Sequence, residues 1–149
     1  MQLKPALHAA CLAYLQQRID AAQSAMLAAQ ESANSETKSS AGDKYETGRA
    51  MAHEERNRNA VQLREALNLK AELERINPEA ACDTVRPGAL VATSMGQFYL
   101  SISAGKMVVE GTEYFAVSPA APVAAALSGK RVGEEAAFNG KKVLVKAIL

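Results

Sequence analysis

The sequence predicts an α+β protein: an N-terminal antiparallel helical hairpin of coiled-coil type, followed by a small antiparallel β domain carrying one helix. Three observations predict it. Apolar residues recur every three or four positions through two long segments before Asn77. A cluster of small polar residues separates those segments. After Pro87 the pattern changes to short runs rich in Val, Ile, Phe and Tyr, punctuated by glycine. The expected divisions are 1–78 for the hairpin, 79–87 for a linker and 88–149 for the C-terminal domain.

The first helix is expected from about Lys4 to Asn34, a span without glycine in which Pro5 sits where a first-turn proline is tolerated. Leu12, Leu15, Ile19, Ala22, Met26, Ala29 and Ala33 alternate spacings of three and four, the narrow seam of a coiled coil. At the usual rise per residue this helix would be about 45 Å long. Ser32, Asn34, Ser35, Thr37, Ser39, Ser40 and Gly42 then mark a loop. A second helix is expected from Asp43 to Ile76, with Ala60, Leu63, Leu67, Leu69, Leu73 and Ile76 as its apolar contacts, ended by Asn77-Pro78. Two such helices joined by a short loop fold back on each other most simply within one chain, so a monomer is expected.

Five strands are expected: Ala89–Thr93, Gln97–Ser103, Thr112–Val117, Glu134–Phe138 and Lys142–Leu149. A short helix at about Ala121–Leu127 interrupts them and stops at Gly129. In the adjacent pairs Phe98-Tyr99 and Tyr114-Phe115, alternation assigns one member of each to the core.

Composition excludes several functions. With 48% hydrophobic and 22% charged residues and a formal net charge of +1, the chain has a globular composition and lacks the strong basic excess of a general phosphate binder. Residues 1–84 hold 10 basic and 12 acidic side chains and residues 85–149 hold 7 and 4, so the C-terminal part is mildly basic at +3. Cys11 and Cys82 stand far apart with no Cys-x-x-Cys, and His8 and His53 have no metal-ligand spacing to them, which argues against a zinc site or disulfide framework. No run of eighteen apolar residues and no secretory signal occur, which points to the cytoplasm and no membrane contact.

The stretch Gly42-Asp43-Lys44-Tyr45-Glu46 places two carboxylates three residues apart where the second helix opens, at the expected far end of the hairpin. Read alone, Asp at the N-cap and Glu at N3 resemble a capping box facing the orphan amides and the positive end of the helix dipole. Residues three apart also share a helical face, so both carboxylates can serve one metal ion.

Gly42-Asp43-x-x-Glu46 is similar to the tip motif of the bacterial Gre family of transcript-cleavage factors, GreA and GreB. Val117-Ser118-Pro119, followed by Ala126-Leu127-x-Gly129-Lys130-x-x-Gly133-Glu134, resembles that family's C-terminal sequence. The architecture covers nearly the whole chain, whereas the motifs cover about twenty residues. The resemblance implies an FKBP-like C-terminal domain, too short here for a prolyl isomerase pocket. It also implies a factor that binds bacterial RNA polymerase, inserts its hairpin into the secondary channel and meets the 3′ end of backtracked RNA. There Asp43 and Glu46 would help hold a catalytic Mg²⁺ shared with the polymerase. Such a factor is not itself an enzyme but stimulates the polymerase's own nuclease.

The chain departs from the family pattern at Lys44, where an apolar residue is usual, and at Thr47-Gly48-Arg49-Ala50. Those changes leave open a channel-binding regulator that does not promote cleavage. A coiled-coil adaptor with Asp43 and Glu46 as plain caps is the reading from another class. Arg49, Arg56, Arg58 and Arg64 are interleaved with Glu54, Glu55 and Glu65, the pattern of a mixed exposed face, and Lys130, Lys141 and Lys142 read as solvated lysines with a possible part in docking.

Overall fold

The computed structural model describes residues 2–37 and 42–149, with side chains for residues 2–34 and 47–149. Helices α1 (Leu3–Thr37) and α2 (Gly42–Glu74) are followed by strands β1 (Leu90–Thr93), β2 (Gly96–Leu100), β3 (Gly105–Val109) and β4 (Thr112–Val117), helix α3 (Pro122–Leu127), and strands β5 (Glu135–Phe138) and β6 (Lys141–Ile148). The chain divides into two compact units: residues 15–70, and residues 1–14 together with 71–149. No helix among the described residues is long and apolar enough to cross a membrane.

Residues 15–70 form an antiparallel helical hairpin. Its register is visible in two side-chain bonds, Arg56 Nη1 to Gln30 Oε1 at 3.0 Å and Lys70 Nζ to Gln16 Oε1 at 3.5 Å. Both pairs are centred on residue 43. The seam on α1 is Leu15, Ile19, Ala22, Ala29 and Ala33, as its spacing predicts, but Leu12 is 37% exposed. On the part of α2 within this unit the buried positions among the described residues are Ala52 and Ala66, whereas Leu67 is 46% exposed; Leu73, further along α2, is fully buried in the other unit. The buried phase therefore follows small residues over neighbouring leucines, because close helix approach favours alanine at the contact. Helix α1 continues through Ser32 and Asn34 to Thr37, past the expected loop start. Each such polar residue costs only a few tenths of a kcal/mol against a good helix former, while Ala29 and Ala33 stay buried. Residues 38–41 of the expected loop lie outside the described residues.

The second unit is built on one six-stranded sheet in the order β3-β4-β2-β1-β6-β5. All neighbours are antiparallel except β2 and β4, which run parallel with Phe98 opposite Phe115. The sheet is antiparallel as expected apart from that one pair. After β2 the chain reverses into β3 and again into β4, and two reversals leave β4 in the direction of β2. Strand β3 is an addition to the five expected strands: it is an edge strand with Lys106 and Val108 exposed, so its apolar alternation is faint. The β3–β4 and β5–β6 connections are two-residue turns, Glu110-Gly111 with φ 51° and 78° and Asn139-Gly140 with φ 51° and 74°. Positive φ at both central residues is the type I′ geometry whose twist matches paired strands.

Both faces of the sheet are covered at its centre. On one, Val91, Phe98, Leu100, Val143 and Val145 pack with Ala124 and Leu127 of α3 and with Val85 and Cys82. On the other, Tyr99 is fully buried and meets His8 from the first turns of α1. Phe98 and Tyr99 are therefore both buried, against the expectation that only one would be, because each face has its own cover. Tyr114 is buried and Phe115 half-buried.

Candidate functional site

The side chains of Asp43 and Glu46 lie outside the described residues. The helix that carries them opens at Gly42, which puts Asp43 in the first turn of α2 and Glu46 at the start of the second, three residues apart. The register bonds on either side are equidistant in sequence from residue 43. The described pairs thus make Asp43 the midpoint of the hairpin's register.

Of the arginines singled out in α2, Arg56 is committed to the partner helix through Gln30. Arg49, Arg58 and Arg64 are exposed, while His53 is half-buried. Lys141 and Lys142 are exposed at the start of β6, and Lys130 is half-buried. The C-terminal residues that carry the family resemblance do structural work. The Gly129 amide donates to the Val85 carbonyl at 2.8 Å, and the Val85 amide to the Lys130 carbonyl at 2.9 Å. The Gly133 amide donates to Val145 at 2.8 Å, and the Val145 amide to Glu134 at 3.0 Å. These bonds tie the segment after α3 to residue 85 and to β6.

A second polar constellation, unmarked by any sequence motif, joins the start of α1 to the sheet. His8 Nδ1 lies 2.9 Å from the Tyr99 hydroxyl. Cys11 Sγ lies 3.6 Å from Ser101 Oγ and 3.8 Å from Met107 Sδ. Lys4, only 7% exposed, donates from Nζ to the carbonyls of Ala80 and of Gly88 (3.1 Å) and approaches Cys82 Sγ at 3.9 Å. The amphipathic period of α1 signals that residues 4, 7, 8 and 11 share a face; nothing in the sequence signals what that face meets.

Burial governs the electrostatics of this cluster. It pushes the Cys11 thiol above its ordinary pKa, with the Ser101 bond pulling weakly the other way. The Tyr99 hydroxyl is raised by burial first and then by the nearby Cys11 and Cys82. His8 is lowered by burial. Near neutral pH all three are held uncharged, and a protonated buried thiol is a poor nucleophile. The arrangement suits a satisfied structural interface rather than covalent catalysis. Both cysteines are free thiols, and no group of three or more His, Cys, Asp or Glu among the described residues could hold a metal.

Two cavities accompany these elements. One of about 420 Å³ lies at the start of α1, lined mainly by Leu3, Pro5, Pro78, Ala81 and Leu149, with Gln2, Lys4 and Glu79. The other, about 320 Å³, lies between α1 and α2 and is lined by Arg18, Ala21, Ala22, Ala25, Asn59 and Gln62. Neither includes the two tip positions.

No family model matches the chain, and no curated protein matches it. Among solved structures it is similar to GreA factor homolog 1 (Gfh1) of Thermus thermophilus, at 20% identity over 91% of this chain and 92% of that one, with a TM-score of 0.35. A superposition that loose carries no argument about activity.

Proposed function

We propose that this protein is an RNA polymerase-binding transcription factor that presents Asp43 and Glu46 at the end of its hairpin and stimulates cleavage of backtracked RNA. The observation that supports it is the hairpin register. Pairs Gln30–Arg56 and Gln16–Lys70 flank residue 43 symmetrically, and α2 begins at Gly42. The motif Gly42-Asp43-x-x-Glu46 therefore falls where a narrow rod would present it to a partner.

The donor chemistry fits the metal that the family resemblance implies. Two carboxylates supply hard oxygen donors, and Mg²⁺ is commonly bound by one or two carboxylates with phosphate oxygens and water completing its shell. Asp43 and Glu46 would contribute those oxygens, and the metal would supply activation of water for phosphodiester hydrolysis. The chain's own part is positional. The N-terminal turn of a helix favours negative charge, so the two acidic residues are held where the backbone tolerates them best, and the buried seam behind them keeps the two helices in register.

The departures at Lys44 and Thr47-Gly48-Arg49-Ala50 favour a second reading, a regulator that occupies the same channel without promoting cleavage. Both readings require the same partner. Capture of core bacterial RNA polymerase by the full chain is expected, weakening as salt rises because the basic C-terminal part contributes. Absence of binding at low salt would remove both and leave the coiled-coil adaptor.

A further inference from the structure

Where the first turn of α1 meets the segment before β1, two reactive side chains share one carbonyl oxygen. The Lys4 ammonium donates to the Ala80 carbonyl, and the Cys82 thiol donates to the same oxygen at 3.8 Å. That common acceptor leaves Lys4 Nζ 3.9 Å from Cys82 Sγ, and a further bond to the Gly88 carbonyl at 3.1 Å holds the lysine in place. The two residues are 78 positions apart in sequence, and both are buried. A lysine is seldom buried unless it is paired with an opposite charge, whereas this one is bonded to two neutral carbonyls and faces a thiol. The cavity of about 420 Å³ at the start of α1 has Lys4 and Ala81, the chain neighbour of Cys82, in its wall. It opens to solvent, which gives a small oxidant a route to the pair.

We propose that Lys4 and Cys82 form an oxidative modification site, in which a peroxide oxidises Cys82 and Lys4 captures the product as a covalent Lys–Cys sulfenamide. The peroxide transfers one oxygen to the thiol, giving Cys82 sulfenic acid and a water. Lys4 Nζ, having released a proton to solvent, then attacks the sulfur. An S–N bond forms, the S–O bond breaks, and the hydroxyl leaves as a second water with a proton from the nitrogen. The thiol, the ammonium and one peroxide thus give the sulfenamide, two waters and one proton; sulfur loses two electrons and the peroxide gains them. Sulfenic acids condense with thiols and with nitrogen to sulfenamides, and here the nitrogen already stands beside the sulfur. The nitrogen keeps one N–H, enough to retain one of its carbonyl acceptors. Cys11 lacks this arrangement, since its side-chain contacts are the Ser101 hydroxyl and the Met107 thioether. The crosslink would tie the start of α1 to the segment before β1 and close a long loop, which restricts the unfolded chain.

The test treats the reduced full-length protein with an equivalent of hydrogen peroxide and follows it by intact mass and by peptide mapping without reductant. The expected product is lighter than the reduced chain by two hydrogens and maps to a crosslinked pair of peptides containing Lys4 and Cys82. Dithiothreitol should restore the starting mass, and the crosslinked protein should melt at a higher temperature than the reduced one. Cys11→Ala should still form the crosslink, whereas Cys82→Ser and Lys4→Arg should lose it. Peroxide treatment in concentrated urea, where the two residues are no longer neighbours, should give none. If Lys4→Arg fails to fold by circular dichroism, the peptide map of the wild type decides alone. A map in which Cys82 is joined to Cys11, or carries oxygen while Lys4 is unmodified, would overturn the proposal, as would an unreacted Cys82. None of these results bears on polymerase binding, so this inference fails or stands independently of the function proposed above.

Discussion

The two compact units of this protein are held together by different means. In the sheet unit, fully buried side chains are large: Tyr99, Leu7, Leu73, Leu100, Ile102, Leu127 and Val143. Among the described residues of the hairpin unit, Leu15 and Ile19 are the only large apolar side chains in the buried core, and the rest of its seam is Ala22, Ala29, Ala33, Ala52 and Ala66. A fully buried Leu or Phe contributes about 1.5–3 kcal/mol, roughly 0.8 per methylene, so an alanine seam stabilises far less per contact. It also contains a cavity and a buried amide nitrogen, Asn59 Nδ2, with no hydrogen-bond partner. The lesson is a division of labour: one unit is packed for stability and the other is narrow, since alanine lets two helices approach closely.

That comparison can be broken by matched substitutions. Leu100→Ala, in the sheet core, should cost about 2–5 kcal/mol by the loss of buried methylenes and the cavity left behind. Ala29→Gly, in the seam, should cost only about 1 kcal/mol through helix propensity. Denaturant unfolding followed by circular dichroism reads both, and equal losses would contradict the contrast. Amide hydrogen exchange sharpens it: protection in α1 should fall from Leu15 toward Ala33, whereas β1, β2 and β6 should exchange only near the global unfolding limit.

A smaller effect follows from His8. Burial lowers its folded-state pKa below the ordinary 6.5, so the unfolded chain binds the proton more readily. The corresponding stability is fully present above about pH 6.5 and declines as pH falls from there toward the lowered folded value. His8→Gln should flatten that part of a stability profile between pH 7 and 5. A profile that stays as steep in the variant would assign the dependence to other groups.

The sequence made the architecture legible wherever periodicity was strong. The 3–4 spacing of Leu15, Ile19, Ala22, Ala29 and Ala33 gave α1 its buried face, and Asn139-Gly140 between apolar runs is a hairpin signal in its own right. Leu12 and Leu67 misled because a leucine beside the seam is indistinguishable by type from one within it. Strand β3 escaped because Val108 is apolar on the exposed face, which erases the alternation, and its Glu110-Gly111 turn lacks the usual Asn or Asp. Nothing local to Tyr99 or Cys11 announces a partner more than 90 residues away, so the His8–Tyr99 contact was invisible. The candidate site is the reverse case: Gly42-Asp43-x-x-Glu46 was readable as a motif, and the structure adds the register that centres it while its side chains remain outside the described residues.

The function rests on those two carboxylates, and one experiment addresses them directly. Asp43→Asn with Glu46→Gln keeps oxygen acceptors at the helix start, so stability should fall by no more than about 1 kcal/mol. Neutral amides are poor Mg²⁺ ligands. RNA cleavage is measured in a stalled, backtracked bacterial RNA polymerase complex across a range of Mg²⁺ concentrations, with wild-type and doubly substituted protein bound to equal occupancy. The account predicts that wild type accelerates cleavage and that the double variant binds but does not, with partial recovery at high Mg²⁺. Equal acceleration by both proteins would contradict it and reduce Asp43 and Glu46 to helix caps; no acceleration by bound wild type at any Mg²⁺ concentration would contradict it in favour of the non-cleaving regulator.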